Sequence, residues 1–408
     1  MVDNGKNSNY QLTQNGLKKK ALRIAYIGRS LLDYRVPVFD ALNRMSNGGL
    51  HVIYSKNVTP ERVQKKILEI LGNQAVGLEG EKRFGPEVVT GFANTTFRAC
   101  YQPGALKALK RIEPEVLVAD GFFQWTAFAL AYRMLYGVPL VICYERTNHT
   151  ERNAQWYRRL YRRMVVGLVG AMSCNGKLSL EYSKSLKIDY KRINTGHMVA
   201  DTENLKKQVA GVSETRRQEL RSCWGNPQIV FLSVGQLIKR KGFHQLINGW
   251  SRFSRAYDGN TVLVILGSGP EHTGLRELIE RLKLKSVYLP GEVDYDQIAT
   301  YYVSADIFII PTLEDNWSLV VPEAMACGLP VICSIYNGCW PEYVKEGLNG
   351  WVFDPLDETS TVRVLEKVSD ERVDLKKMGV ESQRIISNFT PEHGAKAILN
   401  ACLMALHA

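Results

Sequence analysis

The sequence predicts an α/β protein built from two doubly wound, parallel-sheet domains that face one another across a cleft. Three observations predict it. The chain has 408 residues, more than one hydrophobic core usually supports. Short apolar runs rich in β-branched residues alternate with helix-compatible stretches, the pattern of parallel strands covered by helices on both faces. These runs fall into two series, separated by a charged stretch that carries no strand signal.

The first series comprises 22–27, 51–54, 116–119, 139–144 and 171–174. The most apolar region, 121–144, is broken by Arg133 and by Gly137-Val138-Pro139. A membrane span needs about 20 predominantly apolar residues, so this region reads as a buried helix followed by a buried strand. The stretch 201–225 is charged and ends in Trp224-Gly225-Asn226-Pro227, where Gly and Pro punctuate the chain. The domain junction is placed there, dividing 1–205 from 206–385. The second series comprises 229–234, 262–266, 287–289, 307–310, 331–333 and 351–353. The last segment, 386–408, contains Thr390-Pro391-Glu392, which reads as a helix cap with Pro in the first turn. That helix is expected to pack back across both domains.

A net charge of +11 suggests acidic partners, which could be nucleic acid, an anionic membrane surface or phosphorylated small molecules. No nucleic-acid-binding module is recognisable, so nucleic acid is not the expected partner. The eight cysteines are scattered without a CxxC pair or clustered histidines, which reads as reduced thiols and no zinc site. Residues 1–20 are polar and expected to be flexible, and they lack the apolar core of a signal peptide, so a cytoplasmic protein is expected.

In doubly wound sheets ligands bind beyond the carboxyl ends of strands, so the loops after strands carry the candidate chemistry. After 307–310 the chain runs through Glu314, Asp315, Asn316, Trp317, Ser318 and Leu319 to Glu323 and then Gly328. A helix start near Ser318 or Leu319 places Pro322 in the first turn, where proline is tolerated, and the end falls at Gly328. Unpaired amides at such a helix start suit a diphosphate. Asp315 and Glu323 could accept hydrogen bonds from hydroxyl groups on either side of it. Upstream, the strand 229–234 passes through Gly235 into Gln236 and the basic run Lys239-Arg240-Lys241, where Lys241 offers a point charge for phosphate. A third strand-end loop carries Gly267 and Gly269.

Taken in order, these features resemble the donor-binding half of the family 4 retaining glycosyltransferases of the GT-B type. The family's E-x7-E element reads here as Asp315-x7-Glu323, accompanied by 235–242, 267–270, Pro290-Gly291-Glu292-Val293 and 346–355. The resemblance implies that Glu323 binds the donor ribose and that Asp315 or the adjacent Glu314 lies by the transferred sugar. It implies that Lys241 and the amides of Trp317, Ser318 and Leu319 hold the diphosphate. Gly235, Gln236, Arg240, Gly267, Gly269 and Asn316 would complete the donor site, with Gly291 and Val293 beside the base. One departure is Gln236, where the family usually has Arg, which shifts phosphate binding towards Lys241 and Arg240.

The first half resembles the family more loosely. It lacks the usual glycine-rich turn after the first strand, leaving Arg29 and Arg35 as candidate phosphate contacts. Where relatives close the strand 139–144 with a cleft histidine, this sequence has Glu145, with His149 four residues later, and the role is split between them. The implied reaction moves a hexose from a UDP-, GDP- or dTDP-linked sugar to a lipid-linked or polysaccharide hydroxyl, with no metal or other cofactor. A nucleotide-sugar epimerase or hydrolase of the same fold is the alternative. The one DxD, Asp294-Tyr295-Asp296, reads as a helix cap.

A helix beginning near Asn153 places Trp156, Tyr157, Leu160, Tyr161 and Met164 on one arc and Arg158, Arg159, Arg162 and Arg163 on the other. Such a helix can lie on an anionic bilayer, and it also suits a core-packed helix with a solvated basic side. The resemblance to enzymes with lipid-linked acceptors favours peripheral contact with the inner face of the cytoplasmic membrane.

Overall fold

The computed structural model describes residues 20–85, 92, 99–257 and 259–408. Among them, nine strands belong to the first half: β1 Ile24–Gly28, β2 Leu50–Ser55, β3 Ala75–Leu78, β4 Lys82–Phe84, β5 Ala99–Tyr101, β6 Val116–Asp120, β7 Leu140–Tyr144, β8 Ala171–Cys174 and β9 Ile193–Thr195. Six belong to the second: β10 Ile229–Val234, β11 Thr261–Leu266, β12 Val287–Gly291, β13 Ile307–Ile310, β14 Val331–Ser334 and β15 Gly350–Phe353. All eleven expected strands are present, with ends shifted by two residues at most. Those that sequence reading missed are short and carry weak apolar signals: Ala75-Val-Gly-Leu78, Ile193-Asn-Thr195, and the exposed antiparallel pair β4–β5.

The strands form a seven-stranded sheet of order β3-β2-β1-β6-β7-β8-β9 and a six-stranded sheet of order β12-β11-β10-β13-β14-β15. Every pairing in both sheets is parallel. β1, β7, β8, β11, β13 and β14 are buried at every residue, as expected of strands covered on both faces. In each sheet the order reverses beside the first strand, between β1 and β6 and between β10 and β13. A crevice opens at such switch points, outside the carboxyl ends of the strands.

The helix Pro391–Leu406 lies on the first domain, with Ala395, Ile398, Ala401, Cys402 and Ala405 in one core with Val38, Phe39 and Leu42. Rather than lying across both domains, it covers one sheet, and the crossing is made just before it by Phe389. That ring packs against both cores and meets Tyr343 edge-on at 4.9 Å. The helices Glu203–Ala210 and Glu214–Ser222 pack on the second-domain helix Tyr295–Ser304, so the chain passes between domains at 196–202. Among the described residues no helix is long and apolar enough to cross a membrane. The N-terminal stretch through residue 19, expected to be flexible, lies outside the described residues.

If the returning helix is part of the first core, Ile398→Ala, at a position 0% exposed, should cost about 2–5 kcal/mol in urea unfolding. Leu403→Ala on the same helix, 42% exposed, should stay within about 0.5 kcal/mol of the parent.

Candidate active site

The second-domain switch point joins the loops after β10 and β13. After Gly235 the chain makes a tight turn, Lys239–Lys241, that ends in Gly242 at φ +74°. Gly242 lies so close against the Pro311 carbonyl that any side chain would collide with it. That approach brings Lys241 to Asp315, with Nζ 2.5 Å from Oδ2 and both side chains largely buried. The Ser318 hydroxyl donates to the same oxygen at 2.6 Å, and the Trp317 amide donates to Oδ1 at 3.2 Å. Burial alone would raise the Asp315 carboxyl, but Lys241, Ser318 and then Arg240 reverse this and hold it below the usual carboxylate range. Asp315 is thus the knot of the loop, with both oxygens engaged.

The helix Val320–Ala326 starts slightly later than the sequence suggested, with Pro322 in its first turn and Gly328 in the left-handed conformation just beyond its end. Glu323 projects from the first turn and accepts a hydrogen bond from the Tyr302 hydroxyl at 3.2 Å. Burial pushes its carboxyl up to about 7, against the opposing pull of Tyr302. One expected phosphate contact, the Trp317 amide, is already engaged in this structure. The Trp317 amide and the Ser318 hydroxyl both turn onto Asp315, because an Asp side chain captures donors two and three residues further along the chain. The Val321 amide bonds to the Ser318 carbonyl at 3.4 Å, which leaves the amides of Leu319 and Val320 as the opening donors with no intrahelical partner.

Gly267 and Gly269, at φ +141° and +155°, lie against the carbonyls of Gly235 and Leu237. The Leu237 amide bonds to the Ser268 carbonyl at 2.8 Å, and the Gly267 amide to that of Gly291 at 2.9 Å. Glycine is therefore required there so that three strand-end loops can stack. Gln236 is exposed on this stack, Gly291 at φ +92° has open space over its Cα, and Val293 packs on the second-domain core. Asp294 occupies the cap position of Tyr295–Ser304, but its side chain makes no cap bond, contrary to expectation, and its carbonyl receives the first turn instead.

The loop after β7 reaches across the cleft onto this site. His149 Nε2 is 2.8 Å from the Leu313 carbonyl oxygen, and the ring stacks on Tyr336 at 4.3 Å. Arg152 Nη1 donates to Glu314 Oε2 at 2.6 Å, and Asn316 Nδ2 donates to Glu145 Oε1 at 3.1 Å. A cavity of about 300 Å³ remains between the domains, walled by Glu145, Arg146, Thr150, Arg240, Glu314, Asp315, Asn316 and Trp317. The seam gives different partners to the residues of both pairs that the sequence left open. The Glu314 carboxylate is drawn onto Arg152, and His149 is spent on the domain contact, with burial lowering its pKa. Glu145, raised by burial, is the one of the pair that faces the cavity.

Arg29 and Arg35, the candidate phosphate contacts of the first half, are both paired with carboxylates. Glu81 takes Arg29 at 2.7 and 3.1 Å, and Arg35 is buried with Nη2 3.3 Å from Asp120 Oδ1. Carboxylates on neighbouring segments neutralise both, a feature invisible in local sequence. Asp120 itself escaped the sequence reading, although an Asp-Gly at the end of a β-branched run was a usable signal. It sits at the first-domain switch point and also accepts from the Tyr26 hydroxyl at 2.5 Å.

The basic helix runs Trp156–Val166 and is two-sided in a way its arcs did not show. Arg162 is buried and pairs with Glu151 at 2.7 Å, Tyr161 stacks on Phe123 at 5.2 Å, and Arg158 lies 5.6 Å over the same ring. Those three therefore leave the expected membrane set. Trp156 at 76% exposure, Tyr157, Leu160 and Met164 remain outside with Arg159 and Arg163.

The Glu323 carboxyl gives a signed pH prediction. Raised from the model-peptide value to about 7, it contributes stability that is fully present below the unfolded pKa and is lost as pH rises through 7. The melting temperature of Glu323→Gln relative to the parent should climb between about pH 5 and 7 and level off above 8. A difference that stays flat across this window would remove the raised carboxyl.

The family described as Glycosyl transferases group 1 matches residues 216–385, which contain every second-domain residue discussed above. An uncharacterized glycosyltransferase of Methanocaldococcus jannaschii is 35% identical over 126 residues, 30% of this chain and 32% of the relative. The alpha-monoglucosyldiacylglycerol synthase of Acholeplasma laidlawii is 29% identical over 134 residues, 33% of each chain. The matched stretches thus span about a third of these curated relatives. Among solved structures, Anabaena HepE in complex with UDP superposes with a TM-score of 0.70 at 17% identity, covering 93% of this chain and 98% of that one. Residues 216–385 thus match the glycosyl transferases group 1 family, in a chain with the two-domain GT-B fold.

Proposed function

We propose that the chain transfers a hexose from a UDP-, GDP- or dTDP-linked sugar to a hydroxyl of a lipid-linked or glycan acceptor, with retention of configuration and without a metal ion. The observation that carries this reading is Lys241, held by Asp315 at the switch point beside the start of the Glu323 helix. An ammonium has three donors, and Asp315 uses one, leaving two for phosphate oxygens. Together with the opening amides of the helix they meet the charge that develops on the departing diphosphate, the task preorganised dipoles perform best. Gln236 adds neutral donors where a relative would bring a guanidinium.

Glu323 takes the ribose hydroxyls one turn further along the helix. The cavity at the seam receives the sugar, with Glu145 and Asn316 able to exchange hydrogen bonds with its hydroxyls. The acceptor hydroxyl enters from the first-domain side and attacks the face from which the diphosphate leaves, and a donor phosphate oxygen takes its proton. Support for a uridine donor comes from HepE, solved with UDP, and support for a lipid acceptor from the name of the Acholeplasma relative. The exposed face of Trp156–Val166, with no acidic residue in 152–180, fits an anionic bilayer surface.

The test is a thermal-shift comparison of UDP, GDP, dTDP and their glucose conjugates, since binding raises apparent stability. One nucleotide should shift the parent, and Glu323→Ala should lose that shift. An unchanged shift in the variant would overturn the donor site. For the surface, the parent should sediment with vesicles containing anionic lipid but not with purely zwitterionic ones. Arg159→Glu with Arg163→Glu should stay in the supernatant, and equal sedimentation of parent and variant would refute the membrane contact.

A further inference from the structure

Charge pairing in the cleft cavity is uneven. Its three carboxylates each have a partner: Glu314 receives Arg152 at 2.6 Å, Asp315 receives Lys241 at 2.5 Å, and Glu145 receives Asn316 at 3.1 Å. Behind the wall, Glu151 receives Arg162 at 2.7 Å. The two cations in the wall stand apart from this pattern. Arg146 Nε is 3.8 Å from Glu151 Oε1, beyond hydrogen-bonding distance, and Arg240 Nη1 donates to the main-chain carbonyl of Glu314 at 3.2 Å. Among the described residues neither guanidinium has a carboxylate within hydrogen-bonding distance.

These two come from opposite domains, Arg146 from the loop after β7 and Arg240 from the turn after β10, and both line the same 300 Å³ space. A guanidinium presents a planar fork of donors that matches a carboxylate or phosphate, and neither fork is engaged by one here, the ion pair of Arg146 with Glu151 being loose at 3.8 Å. The donor diphosphate is not the natural occupant. Lys241, Leu319 and Glu323, which frame its place, are absent from the walls of this cavity.

We infer that the cavity takes a second oxyanion, a carboxylate or phosphate carried by the transferred sugar or by the acceptor, held between Arg146 and Arg240. This rests on the glycosyltransferase reading above and narrows its substrates to those with an acidic group at the reacting end. A neutral hexose would find hydroxyl partners in Glu145 and Asn316 but would leave both guanidiniums unmatched. The volume is at the small end of ligand sites, so the anion and the ring that bears it would fill it together.

The experiment uses matched probes on the full chain. For donors, UDP-glucose is compared with UDP-glucuronate, and GDP-mannose with GDP-mannuronate. For acceptors, an alkyl glucoside is compared with its 6-phosphate. The acidic member of one pair should have a KM at least about tenfold lower than its neutral twin, and which pair shows it assigns the anion to donor or acceptor. Arg146→Gln should bring that ratio to within about twofold, Arg146→Lys should restore part of it, and the affinity for bare UDP or GDP should be unchanged in both. Equal use of acidic and neutral members in every pair would overturn the inference, as would an Arg146→Gln variant whose loss appears in bare-nucleotide affinity. Those results leave the glycosyltransferase reading standing. Failure of every nucleotide to bind the parent would instead remove that reading, and the inference with it.

Discussion

The buried pair of Lys241 and Asp315 holds the candidate site together. It ties the loop after β10 to the loop after β13 across the point where the strand order reverses. Its geometry depends on Gly242, since only a residue without Cβ lets the basic turn settle against the Pro311 carbonyl. Once Asp315 is placed, the amide of Trp317 and the hydroxyl of Ser318 follow it, and their position sets where the next helix opens. Removing one member of such a pair strands the other charge, so the loop and the helix start stand or fall together.

The first domain repeats the device in a different form. At its own switch point Arg35 from the segment after β1 meets Asp120 at the end of β6, with the Tyr26 hydroxyl completing the cluster. In the second domain the cation lies beside a helix start, whereas in the first it is buried against Asp120. The first domain contributes to the cleft through the loop after β7, whose contacts with Leu313, Glu314, Asn316 and Tyr336 close the seam.

The two-domain fold was legible in the sequence because central parallel strands are buried on both faces and read as unbroken apolar runs. Strands that escaped were either edge pieces such as Ile193–Thr195, where two of three residues are polar, or the exposed pair β4–β5. In the site, the order of the strand-end loops and the family resemblance they carry pointed to Lys241, Asp315 and Glu323. The uses of Arg29, Arg35, Glu314 and His149 could not, because each is decided by a partner at least 50 residues away: Glu81, Asp120, Arg152 and Leu313. Helical arcs likewise showed that Arg162 lies on a basic side but not that Glu151 folds beneath it.

The central claim is that the Lys241–Asp315 loop and the Glu323 helix form one nucleoside-diphosphate site. A crystal structure of the full chain soaked with the nucleotide that stabilises it tests this most directly. The account predicts the ribose hydroxyls on the Glu323 carboxylate and a phosphate oxygen within hydrogen-bonding distance of Lys241 Nζ, with Asp315 still engaged. A nucleotide bound elsewhere, or at this place with Lys241 turned away from the phosphates, would contradict it.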